Sequence, residues 1–221
     1  MELSKEQIRE TIARRVAQEL EDGDVVTLGI GLPTEVANYV PEDVQVMFHS
    51  ENGLIGVGKK PAPGQANPHI TNAGGIPVDI VEGASAFDSV MSFTMIRGGH
   101  IDATVLGALQ VDQEGNIANW MVPGVFVPGM GGAMDLVVGA KKVIVAMEHL
   151  SKNQVKIVKK CTLPLTAAHE VDLIITERCV LKVTPEGLVL QEINPLFSLE
   201  DITSTITADL IIPDDLLQEA V

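Results

Sequence analysis

The segment Phe48-His49-Ser50-Glu51-Asn52-Gly53 places a carboxylate at the end of a predicted strand. The run Val44–Phe48 is typical of a strand, and the Asn-Gly pair after Glu51 favours a turn with positive φ. In open α/β sheets, ligands bind beyond the carboxyl ends of the strands. Glu51 is therefore a candidate reacting carboxylate, with a solvated turn residue as the alternative. His49 is either a supporting group or a packing residue at the strand end.

Two glycine-rich loops fall at comparable positions. Gly29-Ile30-Gly31 follows the predicted strand Val25–Leu28, and Gly129–Gly132 precedes a predicted helix near Met134–Ala140. Glycine lets backbone amides approach a ligand closely, and the start of a helix offers unpaired N–H donors to an anion. Each loop can equally be an ordinary strand–helix turn. Neither loop completes the G-x-G-x-x-G motif of dinucleotide-binding proteins, which argues against dinucleotide binding.

Other residue types exclude several chemistries. The five histidines show neither H-x-x-x-H nor H-x-H spacing, so no metal site is predicted. Cys161 and Cys179 lack metal or redox spacing and are predicted to be free thiols in a reducing cytosol. No G-x-S-x-G elbow is present, which argues against a serine hydrolase. Lys59-Lys60 and Lys141-Lys142 are interpreted as solvated charge, or as one pair that meets phosphates.

Composition narrows the class of protein. A net charge of −15 argues against nucleic acid as a partner. Apolar residues make up 46% of the 221 residues and aromatics only 3%, which suits a parallel sheet of aliphatic strands covered on both faces. No apolar stretch is long enough to span a bilayer, and the first twenty residues are charged and helix-periodic rather than a signal peptide. We therefore expect a cytoplasmic protein that does not bind membranes.

The elements that must position these residues follow an α/β pattern. Ser4 and Gln7 form a capping-box pattern ahead of a helix, and strand–helix–strand then runs through Val25–Leu28, Thr34–Tyr39 and Val44–Phe48. A parallel, open sheet with helices on both faces is predicted, in one domain over residues 1–221, with the strand-rich last third packed on the first sheet. The further predicted helices are Ser85–Ile96 and Ser198–Thr205, and the further strands are Thr104–Val111, Val143–Met147, Val155–Val158, Leu173–Thr176, Val180–Val183 and Leu188–Ile193.

Several longer motifs carry a specific resemblance. They are FHSENGLIG, NAGG, GxxxFDSxxSFxMIRGG, GGHID, LGALQVD, GNIANWMVPG, GMGGAMDLVVGAKKVI and KKCTLPLTA. Together they resemble the B (β) subunit of family I coenzyme A transferases over essentially the whole chain. The resemblance implies the fold that these enzymes share with sugar-phosphate isomerases.

The resemblance also implies roles for residues. Glu51 would attack a thioester and carry coenzyme A (CoA) covalently, with no permanently bound cofactor. Gly131 and Gly132 would bind the oxyanion or CoA, Asn52 would orient the carboxylate, and Gly29, Gly31 and His49 would support the site. A homologous A (α) subunit would be the partner, as two A plus two B.

Substrate choice depends on two positions. Gly75 and Thr27 stand where succinyl-type members have Lys and Asn. The missing Lys favours acetoacetate with acetate or butyrate, and Thr27 has no explanation in the sequence. Two other functions stay open: an acyl-CoA hydrolase on the same scaffold, and a non-catalytic sensor of sugar phosphates or related ligands.

Overall fold

The computed structural model describes residues 3–125, 127, 129–152 and 154–218. Phe126 and Pro128, within the predicted loop before Gly129, lie outside the described residues. A 3-10 helix covers Leu32–Asn38. The helices are α1 (Lys5–Ala17), α2 (Ser89–Arg97), α3 (Ala133–Gly139), α4 (Leu199–Thr203) and α5 (Asp214–Gln218). The strands are β1 (Val25–Leu28), β2 (Met47–Ser50), β3 (Leu54–Val57), β4 (Ile80–Ala86), β5 (Ile101–Leu106), β6 (Gln110–Asp112), β7 (Ile117–Ala118), β8 (Ala140–Ala146), β9 (Leu150–Ser151), β10 (Gln154–Val155), β11 (Ile157–Val158), β12 (Leu173–Ile175), β13 (Cys179–Thr184), β14 (Gly187–Ile193) and β15 (Leu210–Ile211).

Among the described residues, ten strands form one sheet in the order β15-β14-β13-β12-β8-β5-β1-β2-β3-β4. The central strands β12, β8, β5, β1 and β2 pair in parallel, as the strand–helix–strand pattern predicts. Antiparallel pairs flank this centre on both sides, through β2–β3–β4 and β12–β13–β14. The carboxyl ends of the five parallel strands therefore meet along one edge of the sheet.

Helices cover both faces of the sheet, which confirms the predicted fold class. Along β8, Val143 and Val145 point into the core beneath α2, α3 and α4, whereas Ile144 and Ala146 point into the core beneath α1. Because both faces are buried, the central strands read as continuous aliphatic runs. Within the described residues, no helix is long and apolar enough to cross a membrane.

Helix α1 shows how the sequence fixes an element. The Ser4 hydroxyl accepts from the Gln7 backbone N–H at 3.2 Å, and the Gln7 side chain accepts from the Ser4 N–H at 2.9 Å. This capping box satisfies two of the N–H groups that a helix start leaves unpaired. Ile12 and Val16 are fully buried against the sheet. These two residues, one helical turn apart, mark the face by which the helix docks on the sheet.

Several predicted boundaries are wrong. The predicted helix Ser85–Ile96 starts too early. Its first residues belong to β4, and the observed helix α2 begins at Ser89, because Asp88 caps it by accepting from the Met91 N–H at 2.8 Å. The strand Thr104–Val111 is broken at Gly107 into β5 and β6, which belong to different sheets. The strand Val155–Val158 is likewise divided between β10 and β11.

The last third of the chain is arranged differently from the prediction. It does not pack on the face of the first sheet but extends it, because β12 pairs with β8 and β13, β14 and β15 follow outward. The sheet is therefore continuous from the Glu51 region to the last strand.

Candidate active site

Glu51 lies in the tight turn of the β2–β3 hairpin, directly after the last residue of β2. The Gly53 N–H donates to the Ser50 carbonyl at 3.0 Å, and Gly53 has φ of +110°. A Cβ at Gly53 would lie 2.0 Å from the Phe87 carbonyl oxygen, so no larger residue fits there. The half-buried Glu51 side chain therefore starts from a fixed backbone.

The carboxylate of Glu51 meets the glycine loop before α3. The Gly132 N–H donates to Glu51 Oε1 at 3.2 Å, although 81 residues separate the two in the chain. A Cβ at Gly132 would lie 2.6 Å from Glu51 Oε2 and 3.0 Å from the ring of Phe93. Gly131, with φ of +55°, comes nearly as close, since its Cβ would lie 3.6 Å from Glu51 Oε1. The absence of side chains is what lets this loop touch the carboxylate.

A cavity of about 520 Å³ opens in front of Glu51. Gly29 and Gly107 bring the carboxyl ends of β1 and β5 to its wall, and Asn119 and Met130 line it from two other loops. A volume of this order suits a small-molecule ligand. The cavity is placed at the carboxyl ends of parallel strands, where the sequence predicts a site.

The structure separates the other predicted site residues from the carboxylate. The exposed Asn52 donates through Nδ2 to the Thr71 carbonyl at 2.8 Å, which ties down the following loop. Gly31 lines a different cavity of about 370 Å³, together with Lys59 and Lys60. His49 is only 3% exposed, and its ring hydrogen-bonds Thr27 and Ser92 rather than Glu51. Glu51, Gly131, Gly132 and Gly29 are thus the predicted residues that share one cavity.

Sequence reasoning did not predict the contacts that three residues make around the site. The Ser50 hydroxyl accepts from the Ala73 N–H at 2.9 Å and so joins the N-A-G-G segment to the end of β2. Phe93 of α2 packs where Gly132 approaches Glu51. Thr27 hydrogen-bonds the His49 ring, which gives the unexplained threonine a structural partner. Ser50 and Phe93 fall within the quoted motifs and Thr27 is one of the two substrate-choice positions, but their contacts could not be predicted because each partner is distant in the chain.

Electrostatics further limit the chemistry. Burial lowers the pKa of His49 to about 4, so its ring is neutral near pH 7. Burial raises the pKa of the Cys179 thiol to about 12, and burial together with Asp112 raises that of Cys161 to about 12, so neither is a ready nucleophile. Among the described residues, no group of three or more His, Cys, Asp or Glu could hold a metal ion.

The second lysine pair forms ion pairs rather than an open phosphate site. Lys141 contacts Asp102 at 2.7 Å and Lys142 contacts Glu19 at 2.6 Å.

Comparison with known proteins agrees with this geometry. Residues 9–205 match the family model described as coenzyme A transferase. The chain is 56% identical to the beta subunit of the acetate CoA-transferase of Haemophilus influenzae, over 94% of this chain and 93% of that protein. It is 47% identical to the B-type subunit of a succinyl-CoA:3-ketoacid coenzyme A transferase of Helicobacter pylori, over 91% of this chain and 98% of that protein.

A solved structure shows the same fold. The apoenzyme of an acyl-CoA transferase from Escherichia coli O157:H7 superposes with a TM-score of 0.75 at 24% identity. The match covers 97% of this chain and 43% of that one. On the strength of the family match and these relatives, the chain belongs to the coenzyme A transferase family and is a transferase enzyme.

Proposed function

We propose that this chain is the B-type subunit of a CoA transferase in which Glu51 carries CoA between two carboxylic acids. The observation that carries the proposal is the contact of the Glu51 carboxylate with the Gly132 N–H at the edge of an open cavity. A carboxylate held by a backbone donor, with space in front of it, can attack a carbonyl carbon that enters the cavity.

The chemistry proceeds by exchange. A Glu51 oxygen attacks the donor thioester carbonyl, expelling CoA thiolate and leaving an acyl-glutamyl anhydride. The thiolate then attacks the glutamyl carbonyl, the first acid leaves as its carboxylate, and CoA is held as a thioester on Glu51. The acceptor carboxylate reverses these steps. Over the whole cycle one thioester is exchanged for another of similar energy, so the cycle needs no permanently bound cofactor.

Gly132 has two roles in this scheme. Its N–H first orients the Glu51 carboxylate through Oε1. When thiolate adds to the glutamyl carbonyl, negative charge builds on an oxygen of that same group, and the N–H can donate to it. One such aimed donor lowers a barrier by about 2.7–4 kcal/mol. Gly131 keeps the loop close without filling the cavity.

The proposed partner is an A-type subunit. The support is that the relatives above are named as beta or B subunits. Two copies of each subunit, and a cytoplasmic location, stay predictions from the sequence.

For substrates, we favour acetoacetate with acetate or butyrate. The relatives' names include both acetate and succinyl types, so the choice depends on Gly75. Gly75 is exposed, with φ of +72° and no atom within 4 Å of an added Cβ, so no cationic side chain is available there for a second carboxylate. We expect a higher kcat/KM for acetoacetyl-CoA than for succinyl-CoA, measured by steady-state kinetics; the reverse order would refute this choice.

The test of the function is covalent trapping. The assembled complex is mixed with acyl-CoA without an acceptor acid, reduced with borohydride and digested for mass spectrometry. We expect the modification on the peptide that holds Glu51. The Glu51→Gln complex should lose both this modification and CoA transfer, because an amide is a far poorer nucleophile than a carboxylate. Glu51→Asp should lose about a hundredfold or more, since the attacking oxygen moves by about 1 Å.

Two outcomes would contradict the proposal. Sustained acyl-CoA consumption without acceptor would indicate a hydrolase. Near-parent exchange by a folded Glu51→Gln complex would place the nucleophile elsewhere.

A further inference from the structure

A chain of three buried polar side chains lies beside the end of β2. His49 Nδ1 is 2.9 Å from Thr27 Oγ1, and His49 Nε2 is 3.0 Å from Ser92 Oγ. Thr27, His49 and Ser92 are 2%, 3% and 0% exposed. The chain therefore links β1, β2 and α2 through buried side chains, of which Thr27 also lines the wall of the Glu51 cavity.

Its place in the fold connects it to both ends of the Glu51 contact. His49 lies two residues before Glu51 and pairs in the sheet with Thr27 on β1 and with Ile55 on β3. At its other end, Ser92 is followed on α2 by Phe93, the residue that packs against Gly132. The chain thus joins the backbone that carries the carboxylate to the helix that supports its N–H donor.

Polar groups are an unusual choice for such a position, because apolar side chains of similar shape would pack without losing hydration. Hydrogen bonds add something that packing does not, which is a fixed direction for the ring. Burial keeps the His49 ring neutral by lowering its pKa to about 4. A neutral imidazole donates from one nitrogen and accepts at the other, so both hydroxyls can be satisfied at once.

We propose that Thr27, His49 and Ser92 are positioning residues that hold the β2 end and α2 in the register at which Glu51 meets the Gly132 N–H. This inference rests on the proposed function of Glu51. The chain does not touch the carboxylate in the structure, and no proton passes through it in the reaction. Its contribution is to the rate at which the bound thioester is attacked, because small displacements of a nucleophile cost rate without altering distant binding contacts.

The test compares hydroxyl deletions in the complex with the A-type subunit. Thr27→Val and Ser92→Ala each remove a hydroxyl with little change in shape, and Thr27→Ser retains it. The rate of Glu51 loading by acetoacetyl-CoA is measured in a single turnover by quenching and mass spectrometry, beside the KM for acyl-CoA. We expect loading to slow by roughly tenfold to a hundredfold in the two deletions, with KM within about twofold and near-parent loading in Thr27→Ser.

A second buried histidine of this protein, outside the Thr27–His49–Ser92 chain, provides a matched control. His149 is also buried, with Nδ1 3.1 Å from Thr176 Oγ1 and Nε2 3.0 Å from Thr205 Oγ1. None of these three residues lines the cavity of Glu51. Thr205→Val should therefore cost stability but leave the loading rate of the folded complex unchanged.

The outcomes separate the two proposals. If the parent loads Glu51 and both Thr27→Val and Ser92→Ala load at its rate, the chain is only core packing and the positioning role is refuted. The positioning role is also refuted if their loss of rate merely tracks loss of folded protein, as in the Thr205→Val control. If the parent itself fails to load Glu51, the proposed function fails first. Ser92 does not line the cavity of Glu51, so Ser92→Ala decides the question if Thr27→Val does not fold or changes the KM.

Discussion

At the scale of single residues, the site depends on what two glycines lack. Gly53 permits the turn that carries Glu51, and Gly132 permits an N–H to come within 3.2 Å of its carboxylate. The two positions differ in kind. Gly53 has φ of +110° and is needed for the backbone, whereas Gly132 has φ of −85° and is needed for the space beside the carboxylate. A side chain at Gly132 therefore tests the site without straining the main chain.

We expect Gly132→Ala to lower kcat by roughly tenfold to a hundredfold, because the new methyl group would push the Glu51 carboxylate off its donor. Unfolding in urea should change by only about 1 kcal/mol, since the closest group is the end of the flexible Glu51 side chain and the Phe93 ring must give by only a few tenths of an ångström. Ser204→Ala, at the exposed end of α4 and outside the cavity of Glu51, is the control and should resemble the parent in both measurements. Parent-like turnover in a folded Gly132→Ala complex would show that the loop is only a turn.

At the scale of elements, a second buried histidine holds together segments far from the Glu51 cavity. His149 follows β8, Thr176 follows β12 and Thr205 follows α4, and the imidazole bonds both hydroxyls. Burial, with the nearby charges of Arg178 and Lys156, lowers the pKa of His149 to about 3. The junction of these elements is therefore built around a ring that must stay neutral.

This predicts a loss of stability in acid. In the unfolded chain His149 is protonated below its ordinary pKa of about 6.5, whereas in the folded protein the ring stays neutral down to about pH 3. The neutral His149 ring makes its full contribution to stability at pH 7. The free energy of unfolding should then fall as pH drops from about 6.5 toward 3, by up to about 1.4 kcal/mol per pH unit. The free energy of unfolding is measured in urea at pH 7, 5.5 and 4.5. It should depend less steeply on pH in His149→Gln than in the parent, and equal slopes in the two proteins would contradict the role assigned to His149.

The sequence predicts elements best where local signals are strong. The bounds of β1 are as predicted, since an aliphatic run lies between polar residues and glycine. The last two strands at one end of the sheet, β3 and β4, are not predicted, because β3 contains Gly56 and β4 is mostly exposed and rich in small residues. In the site, Glu51 and Gly132 could each be selected from local pattern and resemblance. Their contact could not, because strand crossovers bring together residues 81 positions apart.

At the scale of the whole molecule, one wall of the site faces solvent. Apolar side chains stay exposed beside the cavity, among them Ile30, which lines it, and Met134, which follows the lining residue Ala133 on α3. Exposed apolar groups of this kind are typical of a surface covered by a partner.

We accordingly expect the purified chain alone to transfer CoA at a negligible rate, and activity to appear when an A-type subunit is added. Titrating the partner at fixed chain concentration should give a saturating rise in rate. The control is the Glu51→Gln variant of this chain mixed with the same A-type subunit, which measures any transfer activity that the partner has by itself. Full turnover by the isolated chain would contradict this expectation.

The position of α1 has a consequence for how the molecule is made. The helix is the first element of the chain, yet Arg15 forms an ion pair with Glu192 on β14, and Ile12 packs in a core that includes Val180 of β13. A ribosome must therefore release the chain through Glu192 before α1 can finish docking. Contacts so distant in sequence slow folding. Until then the apolar face of α1 is available to chaperones, and stalled or truncated chains would expose it permanently.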